Sequence, residues 1–159
     1  TCSFSVTAAK YGAASTTNID LSAKYLTWGK RNFELNGLDL KAHRFFSDDA
    51  REHLRRAEKR GDRYDVVVLD PPSFSRNGKK VFRLEEEASE LVAEAVAVVA
   101  PGGHFFFSCN YSEWDEREIL PLLRECMPSP QWELEEKIKK PVDFESDTLM
   151  KSALFRRKS

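Results

Sequence analysis

Asp65-Val66-Val67-Val68-Leu69-Asp70-Pro71-Pro72-Ser73-Phe74 is the stretch on which the reading of this chain turns. Its first half is an unbroken apolar run, largely β-branched, between two aspartates. Apolar residues at every position, not at alternate ones, predict a strand buried on both faces, as in a parallel sheet covered by helices. Its second half cannot prolong that strand. Two consecutive prolines lack the N–H that a ladder needs and fix φ, so the backbone leaves the sheet as a stiff loop with its carbonyls aimed outward.

Working outward, Ser73 to Lys80 reads as a polar loop and Leu84 to Ala100 as a helix ended by Pro101-Gly102-Gly103. His104 to Cys109 is a second apolar strand, and Glu113 to Cys126 a helix. Trp132 to Lys139 and Leu149 to Arg157 read as final strands around a loop containing Pro141. Upstream, Ser3 to Tyr11 forms a helix closed by Gly12, and Ala14 to Ile19 a short strand ending at Asp20. Ser22 suits the N-cap of a helix over Ala23 to Leu35 that Asn36-Gly37 stops. Ala42 to Phe46 is a strand, and Asp48 to Arg60 a charged surface helix with a thin apolar stripe of Ala50, Leu54 and Ala57. Strands alternating with helices predict an α/β fold: a three-layer, mostly parallel sheet with right-handed crossovers. No internal repeat or domain boundary interrupts residues 1–159.

Composition excludes several classes. The 25 Lys and Arg nearly cancel the 26 Asp and Glu, leaving a net charge of -1, so no long-range positive field draws in nucleic acid and any such partner must be met locally. With 41% hydrophobic residues disorder is not expected, and no apolar run approaches the ~20 residues of a membrane helix. Cys2, Cys109 and Cys126 are odd in number and far apart, which speaks against a disulfide framework or a zinc site and for a reducing cytoplasm. His43, His53 and His104 share no metal-ligand spacing, so no metal is expected. The chain begins at Thr1 in mid-pattern, as a fragment would.

In an open α/β sheet ligands gather beyond the carboxyl ends of the strands, which singles out Asp20, Asp49, Asp70 and Cys109. Asp20 could accept both hydroxyls of a nucleoside ribose, or act as a helix N-cap. Asp49 could hold an adenine amino group, or cap the charged helix that follows. In the loop after Asp70, Phe74 offers a face on which a base could stack. Cys109 is either a buried small hydrophobe or, given a lowered pKa, a nucleophile.

Taken in order, Thr1-Cys2-Ser3-Phe4-Ser5-Val6, Ile19-Asp20-Leu21-Ser22, Asn32 with Leu35-Asn36-Gly37-Leu38, Asp49-Ala50, Asp70-Pro71-Pro72-Ser73-Phe74 and Phe107-Ser108-Cys109-Asn110 resemble the successive motifs of class I S-adenosylmethionine-dependent methyltransferases. The closest subgroup is the large-subunit (23S) ribosomal RNA methyltransferases that make 5-methylcytosine or, in a sister branch, 7-methylguanine. The resemblance implies a Rossmann-like methyltransferase sheet with an antiparallel C-terminal strand. It implies a single catalytic domain over residues 1–159 whose first, central strand and N-terminal RNA-binding domain lie outside the chain. Thr1, Ser3 and Phe4 would end the methionine-binding loop, with Cys2 where such loops usually carry glycine. Asp20 and Ser22 would serve the ribose, and Asp49 and Ala50 the adenine. Asp70, Pro71, Pro72 and Phe74 would face the methyl group and target base, and Cys109 would enter from the neighbouring strand. S-adenosylmethionine would be the cofactor, S-adenosylhomocysteine the product and ribosomal RNA the partner.

For cytosine the resemblance implies a thiolate: Cys109 adds at C6, C5 attacks the sulfonium methyl, a base removes the C5 proton, and elimination frees the enzyme. Guanine N7 or an exocyclic amine needs no thiol, and methylation there is the alternative within enzymes. A noncatalytic nucleotide- or RNA-binding module is the alternative outside them. Lys137, Lys139 and Lys140, with Arg156, Arg157 and Lys158, are either phosphate contacts or the ordinary charges of a solvated edge strand.

Overall fold

A computed structural model describes residues 1–77, 80–111, 114, 116–127, 130–138 and 151–159. The chain divides into two units, Thr1–His53 with a two-stranded sheet and Leu54–Ser159 with a four-stranded and a two-stranded one.

In the first unit, α1 (Ser3–Lys10), β1 (Thr16–Asp20), α2 (Ala23–Leu35) and β2 (His43–Ser47) follow one another. The two strands are parallel, with Thr16 opposite His43 and Asp20 opposite Ser47, so both carboxyl ends lie at the same end of the pair. Ser22 caps α2 by accepting the Tyr25 N–H at 3.3 Å. Gly37, at φ 68°, turns the chain at the other end, where the Leu38 N–H returns to the Phe33 carbonyl. Phe33 is wholly buried, with the His43 ring centred 4.5 Å away and the Phe45 ring edge-on at 5.4 Å. Buried Asn18 is satisfied by donating to the Arg44 carbonyl and the Thr16 hydroxyl.

The remaining elements are α3 (Ala50–Arg60), β3 (Tyr64–Leu69), β4 (Phe74–Asn77), β5 (Lys80–Arg83), α4 (Leu84–Ala97), β6 (Val99–Cys109), α5 (Glu116–Cys126), β7 (Trp132–Ile138) and β8 (Lys151–Arg157). The larger sheet runs β3-β6-β8-β7. β3 and β6 are parallel, and the C-terminal strand β8 is antiparallel to both neighbours, as the sequence reading anticipates. Alternate residues Phe105, Phe107 and Cys109 of β6 face a core shared with Phe155 of β8, Leu91 and Val92 of α4 and Leu123 of α5. Of the thin stripe of α3, Leu54 and Ala57 join the same core, Ala57 wholly buried and Leu54 nearly so.

Three expectations change. The polar loop from Ser73 to Lys80 contains strand β4, which pairs antiparallel with β5 so that Phe74 lies opposite Arg83. A backbone ladder needs no apolar alternation, so hydropathy gave no sign of it. The strand β3 is not buried on both faces: Val66 is 58% exposed and Val68 39%, whereas Leu69 is buried. β3 is the edge of its sheet and α4 packs on it, so Val67 and Leu69 meet the core and the opposite face does not. Strand β6 begins at Val99, ahead of Pro101-Gly102-Gly103, because Tyr64 already pairs with Val99 before the register shifts to Val66 opposite His104. Glu113, Lys139, Lys140, Pro141 and Leu149, which figure in the predicted helix, strands and basic cluster, lie outside the described residues.

Candidate active site

In the first unit, Asp20 stands at the carboxyl end of β1. One of its carboxylate oxygens accepts the Ser22 N–H at 2.8 Å, which fixes the side chain at the mouth of the strand pair. Ser22 thus serves the turn twice, through its N–H to Asp20 and its hydroxyl to α2. Asp49 acts as the cap its alternative reading foresaw: Oδ1 accepts the Arg51 and Glu52 N–H groups at 3.0 and 3.2 Å, and Ala50 opens α3 behind it. Asp48 lies 3.4 Å from His53 Nδ1.

The N-terminal segment approaches α2 closely. Thr1 accepts a hydrogen bond from Asn32 Nδ2 on its carbonyl at 2.9 Å. Cys2 has φ 57°, and among the described residues no other non-glycine has positive φ. The left-handed region costs an L side chain energy that glycine escapes, so Cys2 occupies a glycine-like position. A Cβ at Gly29 of α2 would run into the Cys2 thiol, so this contact needs glycine on the helix side. Gly29 escaped the sequence reading, although a glycine inside a helix was the available signal. Burial pushes the Cys2 thiol pKa up, and the Asp20 charge adds to this. The first turn of α1, with Ser3 and Phe4, has no side-chain cap.

In the second unit, Asp70 follows β3 directly. Desolvation raises the pKa of its carboxyl. Pro71 is buried and Pro72 exposed; Phe74 is 53% exposed and begins β4. The pairing of Leu69 with Phe107 sets Asp70 and the end of β6 side by side. Cys109, however, is wholly buried on the core face of β6 with Phe105 and Phe107. Cys126 is helix packing, with its thiol donating to the Ser89 carbonyl at 3.4 Å. His43 meets the Thr16 hydroxyl at 3.0 Å, and His104 meets Glu135 at 3.3 Å. Among the described residues no group of three His, Cys, Asp or Glu side chains could hold a metal ion, and no helix is long and apolar enough to cross a membrane.

Within the first unit, a carboxylate at the end of a parallel strand pair and a helix start without a side-chain cap have the chemistry of a nucleotide-type α/β ligand site. The chain belongs to the S-adenosylmethionine-dependent methyltransferase family, whose model matches residues 1–156. It is 43% identical over 112 residues to ribosomal RNA large subunit methyltransferase K of Neisseria meningitidis serogroup B, covering 69% of this chain and 32% of that protein. It is 40% identical over 125 residues to methyltransferase K/L of a Psychrobacter species, covering 76% of this chain and 15% of that protein. The chain thus spans a third or less of the length of these two relatives. Among solved structures, a methyltransferase complexed with S-adenosylhomocysteine superimposes with a TM-score of 0.86 at 25% identity, over 96% of this chain and 42% of the other. A methyltransferase from Agrobacterium tumefaciens does so with a TM-score of 0.76 at 25% identity, over 97% and 51%.

The Rossmann-like methyltransferase fold and the S-adenosylmethionine cofactor stand accordingly. The narrower cytosine-5 subgroup does not: the names of these relatives specify large-subunit ribosomal RNA and no cytosine. The donor set fits the cofactor. The uncapped first turn of α1 can receive a carboxylate, and Asp20 has an acceptor oxygen beyond the one held by Ser22.

Proposed function

We propose that this chain carries the catalytic machinery of a ribosomal RNA methyltransferase that methylates a base nitrogen, guanine N7 or an exocyclic amine. The single observation that supports a nitrogen over cytosine C5 is the complete burial of Cys109. A nitrogen lone pair is already nucleophilic, so the protein needs only to hold it in line with the methyl group. S-adenosylmethionine supplies an electrophilic sulfonium methyl. Asp20 would accept the ribose hydroxyls, and α1 would receive the methionine carboxylate. Phe74 would stack on the base, and Asp70 with the carbonyls of the Pro71–Pro72 turn would orient the nitrogen and, for an amine, accept its hydrogens.

A second reading, cytosine C5 methylation through a Cys109 thiolate, has one observation in its favour: Cys109 ends β6 beside Asp70. It would require the thiol to turn out of the core. Nucleoside mass spectrometry of large-subunit RNA from cells lacking the gene separates the readings, because a methylated guanine or amine disappears in one case and 5-methylcytosine in the other. Cys109→Ala is expected to keep methyl transfer within about threefold while lowering stability by about 1 kcal/mol, the cost of a small cavity. A covalent adduct with 5-fluorocytosine RNA, or abolished transfer in a folded Cys109→Ala protein, would establish the cytosine route instead. Absence of S-adenosylmethionine binding in calorimetry would favour a noncatalytic module over both.

A further inference from the structure

The first turn of α4 ties together the two segments that leave β3 and β6. The Leu84 N–H donates to the Ser73 carbonyl at 3.1 Å, which anchors the far end of the proline loop that follows Asp70. The next residue, Glu85, accepts the Tyr111 hydroxyl on Oε2 at 2.6 Å. Tyr111 follows Asn110 just past the end of β6. Pairing of Leu69 with Phe107 already brings the carboxyl ends of β3 and β6 together. Consecutive residues of one helical turn therefore grip both segments, one through its backbone and the other through its side chain. Phe74 is set from the same place: it lies opposite Arg83, the N-cap residue of α4.

We propose that Tyr111 is a positioning residue for methyl transfer, its bond to Glu85 fixing the end of β6 against the loop of residues 70–74. The anchor itself is firm. Leu84 is buried in the core, and Glu85, Glu86 and Glu87 in the first turn suit the positive end of the helix. The Tyr111 ring stands edge-on to Trp114, with centroids 5.4 Å apart, and both rings pack against the core, so the hydroxyl is delivered to Glu85 from a fixed direction. A hydroxyl bound to a carboxylate makes a short, strong hydrogen bond, as the 2.6 Å separation reflects. Neither residue supplies a proton or a charge to the reaction; Tyr111 acts through the placement of Asp70 and Phe74. Alignment is where small displacements are costly, since a shift of about 1 Å can lower a rate about 100-fold. The inference rests on the reading of residues 70–74 as the site of the target base.

The test is transfer of labelled methyl groups from S-adenosylmethionine to large-subunit RNA of cells lacking the gene, followed as single turnovers with both reactants saturating. Tyr111→Phe removes one hydroxyl and keeps the ring against Trp114. Its rate constant should fall on the order of 10-fold, the equivalent of one hydrogen bond to a charged group, while calorimetric affinity for S-adenosylmethionine stays within about twofold. Glu85→Ala should fall as far, and the double variant no further than either alone. Glu85→Gln keeps an acceptor for the hydroxyl and should recover most of the rate. A merely structural bond would lower the melting temperature and leave the rate of the folded protein unchanged. Wild-type rates in Tyr111→Phe and Glu85→Ala, or losses that multiply in the double variant, overturn the inference and leave the RNA reading intact. Should Tyr111→Phe fail to fold, Glu85→Ala against Glu85→Gln decides, and equal rates in those two overturn the inference. A wild type that binds cofactor but methylates no such RNA overturns the RNA reading and the inference with it.

Discussion

Replacing Asp20 by asparagine isolates the cofactor role of this residue from its role in the turn. The carboxylate has two oxygens, and one already accepts the Ser22 N–H at 2.8 Å. Asparagine keeps that acceptor in place and exchanges the other oxygen for an NH2 group, which cannot accept from a ribose hydroxyl and carries no charge. A hydrogen bond to a charged acceptor is worth roughly 1.5–3 kcal/mol, and each 1.4 kcal/mol is about tenfold in affinity. Asp20→Asn should therefore weaken S-adenosylmethionine and S-adenosylhomocysteine binding roughly 10- to 150-fold while leaving the melting temperature within a few degrees. Isothermal titration with both ligands, paired with thermal melts, measures the two effects separately. Asp20→Ala should match the loss in affinity and in addition cost about 0.5–1.5 kcal/mol of stability, because the turn loses its acceptor. Asp20→Asn affinity within twofold of wild type would refute the ribose assignment and leave Asp20 as a turn residue.

Phe33→Ala removes the ring at the centre of the first unit, where it is wholly buried against His43 and Phe45. A loss of about 3–5 kcal/mol is expected in urea denaturation, and a loss under about 1 kcal/mol would show that the unit repacks. Asp70 yields a pH-dependent effect. Burial raises its folded-state pKa, so ionisation penalises the native state above that pKa, and the penalty vanishes as pH falls below the unfolded carboxylate value of about 3.9. Asp70→Asn should therefore stabilise the protein at neutral pH and lose that advantage on acidification. Denaturation midpoints at pH 7 and in acid check this, and a difference independent of pH would refute it.

The elements with strong local signals were legible in the sequence. Ser22 and Asn36-Gly37 bound α2 where they were expected to, because caps act within a few residues. The run Asp65 to Asp70 identified a strand, but not its edge position or the exposure of Val66, since both depend on which elements pack beside it. Asp20 at a strand end followed from strand-then-helix order, whereas Asp49 turned out to cap α3, a choice that sequence left open. For Cys109 the strand was readable and the facing was not: alternation along β6 puts it with Phe105 and Phe107 only once the core side is known. The facing of Lys137 was hidden for a related reason: it depends on a register shift between β7 and β8, which no pattern along one segment encodes.

The contact between Cys2 and Gly29 couples two positions that lie far apart along the chain. A side chain at position 29 has to displace the Cys2 thiol, so Gly29→Ala is a clash by itself and is relieved by Cys2→Gly, a change that the left-handed backbone at position 2 also favours. The two sites can therefore be exchanged only as a pair.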